Sequence, residues 1–356
     1  MAGGGTGGHV FPALAVASIL RDRGHKVLFV GTRQGMESRL VPEAGYPLEY
    51  IRVGGLNRVG VKRQLQTAFE LPISTGIVTG ILGSWKPHAV FSMGGYVAGP
   101  VVIAAVLRRI PIVIMEPNAM PGFTNRKLAP FVYRALVGFE ETARWFPPGR
   151  TEVTGLPIRD EFFHLKAKAE GVFTLLITGG SRGARTLNRA ARESWPFFRQ
   201  NQTPIRIFHQ TGMAEHPALA EQFQESGIEG EVVPFIQDMP SAFSRSDLVV
   251  GRSGAGSVGE IAAAGMPSIL VPLPFAADDH QRKNAEALVN GKAARMVLDK
   301  DLTGERLYRE VEALRQNPGE LDEMRVRARG FGRAGAAERA AALLEEAAQR
   351  KNAAKN

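Results

Sequence analysis

DLVVGRSGAGSVGEIAAAGMPSILVPLPFAADDHQRKN, residues 247–284, decides the fold. An apolar run ending at Val250 enters a turn made almost entirely of Gly, Ser and Ala, Gly251 to Ser257, and a helical pattern then runs to Gly265. Strand, small-residue turn and helix is the layout of a phosphate site, because backbone N–H groups and the positive end of the helix can approach an anion when no bulky side chain intervenes. A second strand, SILVPLP, follows Pro267, and Asp278, Asp279, His280, Gln281 and Asn284 lie beyond it. Two successive strand ends thus carry polar groups to one rim, and ligands of open α/β sheets sit at that carboxyl edge.

The same grammar recurs upstream. VFTLLIT (172–178) leads into GGSRGA, and HAVFSMGGYVAGP (88–100) enters a turn at Gly94, Gly95 and Tyr96 before the apolar helix VVIAAVLRR. That turn is either simply tight or an anion site at a helix start. PIVIME makes a strand ending at Glu116, with Asn118 just past it. At the start, GGGTGG (3–8) matches G-x-G-x-x-G, a weak sign of a dinucleotide site by itself. Only Met1 and Ala2 precede it, so the strand that should feed this turn is expected to be missing. The next strand, HKVLFVGT, ends without the acidic residue that would hold an NAD ribose; Arg33 suits a 2′-phosphate, but nothing downstream reads as dehydrogenase chemistry. At 356 residues the chain suits two domains. The expected pair is 1–155 and 156–335, divided near RTEVTGLP, with a terminal helix and tail over 336–356.

RSGAGSVGEIAAAG with PLPFAADDHQRKNA, GGGTGGHVFPALAVA, MGGYVAGP, EPNAMPG, TGLPIRDEF and GGSRGARTLN resemble the MurG family of GT-B glycosyltransferases, in the family's order and over nearly the whole chain. The resemblance implies two Rossmann-like parallel-sheet domains facing across a cleft, with a C-terminal helix crossing back to the first. It also implies transfer of N-acetylglucosamine from UDP to a muramyl-peptide on a polyprenyl diphosphate, with no cofactor. The family's His before Glu116 and Gln after it are here Met115 and Pro117.

Each site residue carries two readings. Ser257 and Glu260 spell S-x-x-E, a capping box; the resemblance instead gives Glu260 the ribose hydroxyls of UDP. Ser181 is a helix N-cap or a diphosphate contact. The resemblance places Thr6, Gly7 and Gly8 along the donor, together with Ala255, Gly256, Ser257 and Val258. It gives the backbone of Ile236 to uracil and brings Arg159 and Asn118 to the donor. Gln281 suits sugar hydroxyls, since an amide donates and accepts at once, or it is solvated surface. His9 is the first candidate base, because imidazole titrates near neutrality; a helix-capping role is the alternative. Glu116 is the second. Gly94, Gly95 and Tyr96 are the expected acceptor-diphosphate site. Asp299-Lys300-Asp301 spells the D-x-D of metal-dependent transferases, but it precedes a helix pattern, so Asp301 or Thr303 is expected to be a cap. With helix dipoles and glycine loops neutralising UDP, no obligatory metal is expected.

Charge distribution points to the partner. Residues 1–150 hold 17 Lys and Arg against 8 Asp and Glu, the whole net +9, while the remainder is balanced. No aromatic and basic interleaving supports nucleic acid, so an anionic lipid surface or lipid-linked substrate is the better match. Ile73, Ile77, Ile81 and Trp85 recur at helical spacing beside a basic loop with Arg52, Arg58, Lys62 and Arg63; they face either the core or a bilayer. No apolar run reaches a membrane span, no signal peptide is evident, and the absence of Cys excludes a thiolate nucleophile. The expected protein is an inverting transferase, peripheral at the cytoplasmic face of the bacterial membrane. A UDP-N-acetylglucosamine 2-epimerase of the same fold and a non-catalytic nucleotide-sugar sensor are its rivals.

Overall fold

Short runs of Val, Ile and Leu that are apolar throughout, rather than alternating, pair as parallel strands buried on both faces, and every strand pairing among the described residues is parallel. The structure is a computed structural model describing residues 1–5, 7–54, 61–166, 168 and 171–353, without the side chains of 61–68 and 352. Thr6, Arg58 and the side chains of Lys62 and Arg63 therefore lie outside the described residues. Two units emerge, 1–158 joined by 333–356, and 159–332.

In the first unit β1 (Phe29–Gly31) pairs with β2 (Leu48–Tyr50), while β3 (Val90–Ser92), β4 (Ile112–Glu116), β5 (Arg134–Val137) and β6 (Thr151–Val153) form a second run. No strand precedes the first glycine turn among the described residues, but Ala2 joins the two runs as an isolated bridge residue. It bridges Val30 and Ser92, its N–H donates to Phe91 O and its carbonyl accepts from Met93 N, both at 2.8 Å, and its side chain is fully buried. Counting this stub as the first strand, the order is 3-2-1-4-5-6, the doubly wound order, with β6 added at the edge. Around it lie α1 (Gly7–Asp22), α2 (Glu37–Glu43), α3 (Val61–Trp85), α4 (Gly95–Leu107) and α5 (Phe123–Leu128).

The second unit repeats the plan. Its strands β7 (Phe173–Thr178), β8 (Ile205–Gln210), β9 (Glu229–Val233), β10 (Leu248–Gly251), β11 (Ser268–Leu270) and β12 (Arg295–Met296) lie in the order β9-β8-β7-β10-β11-β12, again 3-2-1-4-5-6. Helices α6 (Arg185–Gln200), α7 (His216–Ser226), α8 (Met239–Ser244), α9 (Ala255–Ala264), α10 (His280–Asn290), α11 (Gly304–Arg315) and α12 (Pro318–Phe331) accompany them. Leu175, Ile177, Leu248, Val250 and Ile269 of the sheet pack on Leu187, Phe198, Leu307 and Val311 of α6 and α11. The last helix, α13 (Ala336–Ala353), belongs to the first unit. It buries Ala340, Leu343, Leu344 and Ala347 and packs on α1 and β4, and Arg339 grips Glu152 of β6 through two bonds of 2.7 Å. In both units strand order reverses between the first and fourth strands, and the glycine turns stand at the carboxyl ends of those two strands.

Candidate active site

In the second unit, helix α9 begins at Ala255 with Gly254 as its N-cap, and no side chain caps it. That corrects the capping box: Ser257 and Glu260 are the third and sixth residues of a helix that has already started. The Val258 N–H bonds Gly254 O at 3.0 Å and its side chain is buried, so Val258 serves the helix and the core rather than a ligand. The N–H groups of Ala255, Gly256 and Ser257, which precede the first intrahelical bond, are the ones an anion can use. One turn in, no hydrogen-bond donor among the described residues reaches the Glu260 carboxyl. Burial pushes its pKa up to about 7, against the pull of the Arg159 guanidinium. Arg159, exposed at the head of the short turn Asp160–His164 that packs on α9, stacks over Phe162 at 5.1 Å. Gln281 closes the other side: its Oε1 accepts from Leu273 N at 3.0 Å, and its Nε2 comes within 4.0 Å of where a Gly254 side chain would start.

The glycine turn after β7 precedes α6, whose N-cap is Ala184 with no side-chain bond. Ser181 is thus no cap; it stands exposed on the loop. Gln210, unnoticed in the sequence, ties this rim together: its Nε2 donates to Gly180 O at 2.8 Å and its Oε1 accepts from Ile236 N at 2.8 Å. The Ile236 N–H is therefore already engaged, and its carbonyl is the backbone group left for a base. Arg252, equally unremarked, lies buried at the end of β10 and bonds Val271 O, Pro272 O and Asp299. Asp299 also accepts from Thr186 Oγ1 at 3.0 Å, and Thr303 caps α11. The D-x-D triplet is structural here, with Thr303 rather than Asp301 as the cap.

In the first unit His9 lies in the first turn of α1, and its Nδ1 is 3.1 Å from Gly4 O. A carbonyl only accepts, so the bond requires Nδ1–H and leaves the lone pair of the neutral ring on Nε2. His9 is tied back to the loop before its helix. Gly95, at φ 76°, makes room: a Cβ there would stand 3.3 Å from the imidazole. The base candidate and the N-terminus of α4, capped by Gly94, thus share one spot, with Tyr96 beside it and its ring over Gly5. Gly7 and Gly8 open α1. Glu116 is 2% exposed and accepts from Asn118 N and Nδ2, Gly122 N and Asn125 Nδ2. Burial raises its pKa, although these four donors work the other way. A carboxylate so enclosed orders the 117–122 loop.

The α3 stripe is settled by exposure. Ser74, Val78 and Leu82 face inward, whereas Ile73 (65%), Ile77 (46%) and Trp85 (41%) of the stripe face outward with Phe69 (75%), and Ile81 is half-buried. No helix among the described residues is long and apolar enough to cross a membrane.

Two doubly wound parallel-sheet units, each with glycine turns at its switch point, are the units of the GT-B architecture. The Glycosyltransferase family 28 N-terminal domain matches residues 1–137 and the Glycosyltransferase family 28 C-terminal domain matches 174–340. The UDP-N-acetylglucosamine--N-acetylmuramyl-(pentapeptide) pyrophosphoryl-undecaprenol N-acetylglucosamine transferase of Solibacter usitatus is 59% identical over 350 residues, 98% of this chain and 96% of that one. The crystal structure of MurG from Acinetobacter baumannii superposes with a TM-score of 0.79 at 35% identity, covering 96% and 97% of the two chains. The UDP-GlcNAc 2-epimerase of Neisseria meningitidis, at 15% identity and a TM-score of 0.66 over 95% and 96% of the chains, shares the fold alone. This chain belongs to glycosyltransferase family 28 and, within it, to the MurG family.

Proposed function

We propose that this enzyme moves N-acetylglucosamine from UDP-N-acetylglucosamine to the 4-hydroxyl of the N-acetylmuramyl-peptide on undecaprenyl diphosphate, the step from lipid I to lipid II in peptidoglycan synthesis, with inversion at the anomeric carbon. The observation that carries the donor half is Glu260: a carboxyl without a hydrogen bond among the described residues, kept half-dry at the mouth of a helix whose first N–H groups are available to a diphosphate. Ribose hydroxyls supply the missing donors, and the carboxylate they favour is the form burial resists. Ser181 and the α6 turn take the diphosphate from the other strand end. The Ile236 carbonyl takes the uracil N–H, Gln281 Nε2 reaches sugar oxygens, and Arg159 offsets the phosphate charge. Gly7, Gly8 and Asn118 are ligand-facing residues of the first unit.

The acceptor diphosphate occupies the start of α4 at Gly94, Gly95 and Tyr96, beside His9. As the acceptor oxygen bonds to C1 of the sugar, its proton passes to His9 Nε2. The C1–O bond to the β-phosphate breaks, and UDP leaves with the electron pair. Helix-terminal N–H groups stabilise the charge that builds on the leaving diphosphate, so the binding energy is concentrated where charge develops. The outward apolar face of α3 and the basic excess of residues 1–150 fit a peripheral position on the anionic cytoplasmic face of the bacterial membrane, where the acceptor resides. Incubation with UDP-N-acetylglucosamine, with and without lipid-linked acceptor, tests the reading. UDP release that depends on acceptor supports it. Epimer formation without acceptor identifies the 2-epimerase, and neither product identifies a sensor.

A further inference from the structure

We infer that Glu37 is a positioning residue for His9, acting through the single peptide group that joins Gly4 to Gly5; the inference rests on the reading of His9 as the base. Glu37 opens α2 and is fully buried, yet none of its side-chain bonds serves its own helix. Its Oε2 accepts from Gly5 N at 2.8 Å, and its Oε1 accepts from Thr32 N at 2.8 Å and Thr32 Oγ1 at 2.9 Å. The space is made for it. A Cβ on Gly4, Gly31 or Gly35 would come within 2.5, 2.4 and 2.0 Å of Glu37 atoms, so glycines from two stretches surround one side chain.

The other end of that peptide holds the imidazole. Gly5 N–H and Gly4 C=O belong to one amide, whose N–H donates to Glu37 while its carbonyl accepts from His9 Nδ1 at 3.1 Å. Amide resonance links the two ends. A carboxylate on the N–H drives electron density toward the oxygen, and hydrogen bonds in such a chain strengthen one another. When Nε2 takes the acceptor's proton, Nδ1–H becomes the donor of a cation, and the strengthened carbonyl stabilises it. No proton crosses the amide, and Gly5 keeps its hydrogen. The arrangement fixes the ring tautomer and raises the basicity of Nε2, as a directly bonded carboxylate would. Other titratable groups lie close by. Tyr96 of α4 places its hydroxyl 3.5 Å from Thr32 Oγ1, Glu116 stands behind Gly94 through Asn125, and the Met1 amino group, its pKa lowered to about 5 by burial, donates to Leu28 O at the foot of the stub. Arg33, next to Thr32, stacks on Tyr50.

The test is NMR titration of full-length protein carrying ¹⁵N-labelled histidine, the His9 signal being identified by its loss in His9→Gln. In Glu37→Gln the His9 pKa falls by about half a unit or more, and the acid limb of kcat/KM against pH moves down with it. The value of kcat above that limb drops roughly tenfold while acceptor KM and UDP affinity stay within about twofold. Thr32→Val is the structural control: it loosens the same carboxyl but keeps the Gly5 bond, and His9 titrates as in wild type. A His9 pKa unchanged by Glu37→Gln, or lowered equally by Thr32→Val, overturns the relay. Should Glu37→Gln fail to fold, Glu37→Asp carries the titration, with an intermediate His9 pKa expected and an unchanged one again refuting. Full activity of His9→Gln instead overturns the base reading, whatever Glu37 does.

Discussion

Replacing Glu260 by Gln should make the protein more stable and a worse UDP binder at the same time. Burial holds this carboxyl at about 7 instead of its ordinary 4.5, so between those values the folded state keeps a proton that the unfolded chain has lost. Stability therefore falls as pH rises across that window and levels off above 7. At ~1.4 kcal/mol per unit the cost of ionisation reaches about 3 kcal/mol, and partial solvent access trims it to about 1–3 kcal/mol. Gln never ionises, so the variant should match wild type near pH 4 and exceed it by that amount at pH 8. UDP binding moves the other way. Charge-assisted bonds to ribose hydroxyls are worth ~1.5–3 kcal/mol each, and a neutral amide with one acceptor oxygen forfeits about 2 kcal/mol, or roughly thirtyfold in Kd. Wild-type affinity should also climb up to about pH 7 and then flatten, a slope absent from the variant. Thermal melts at pH 5 and 8 with calorimetric UDP titrations measure both quantities. An unchanged Kd, or a variant less stable at pH 8, refutes the reasoning, because a damaged fold cannot move the two observables in opposite directions.

Glu116→Gln turns one acceptor oxygen into a donor facing N–H groups; a loss of ~2–4 kcal/mol is expected from denaturant melts, and a neutral result would contradict the enclosed-carboxylate description. Asp299→Ala strands the buried Arg252 guanidinium, and about 3 kcal/mol should disappear from unfolding free energy, whereas a metal-ligand role would show as a metal-dependent activity instead. Ile73→Asp with Ile77→Asp should abolish co-sedimentation with anionic vesicles while leaving the melt within ~0.5 kcal/mol; a large drop in stability would mean the stripe belongs to the core. His9→Gln should cut kcat by about 10²-fold or more at unchanged UDP affinity, read by product formation and calorimetry.

The strands and glycine turns were legible because they depend on local composition: an apolar run ending in residues without side-chain bulk has few other uses. Cap positions were not. S-x-x-E at 257–260 is blind to whether a helix has already begun, and here Ala255 and Gly256 are helical because β10 ends early enough for Gly254 to take the cap. The α3 stripe shows a different limit. Residues 73, 77, 81 and 85 and residues 74, 78 and 82 recur at the same interval one position apart; periodicity finds both and cannot say which faces in. Only burial separates Val78 and Leu82 from Ile73 and Ile77. Glu37, Gln210 and Arg252 escaped because each has partners on segments distant in sequence, Gly5 for Glu37, Gly180 and Ile236 for Gln210, and Val271, Pro272 and Asp299 for Arg252. An acidic residue in a first helical turn looks like an ordinary dipole partner until the chain folds glycines around it.

The return of α13 to the first unit sets an order for assembly on the ribosome. The second unit is one uninterrupted segment and can close as soon as it has emerged, but the first is split, its last element separated from β6 by the whole of 159–332. At ~5–20 residues per second, the face of α1 and β4 that α13 covers waits about 10–40 seconds for its partner. During that interval the half-built sheet, already carrying the outward apolar face of α3, is the part of the nascent chain most exposed to chaperones and to the membrane. Removing 333–356 should accordingly leave the second unit able to fold and deprive the first of its closing helix.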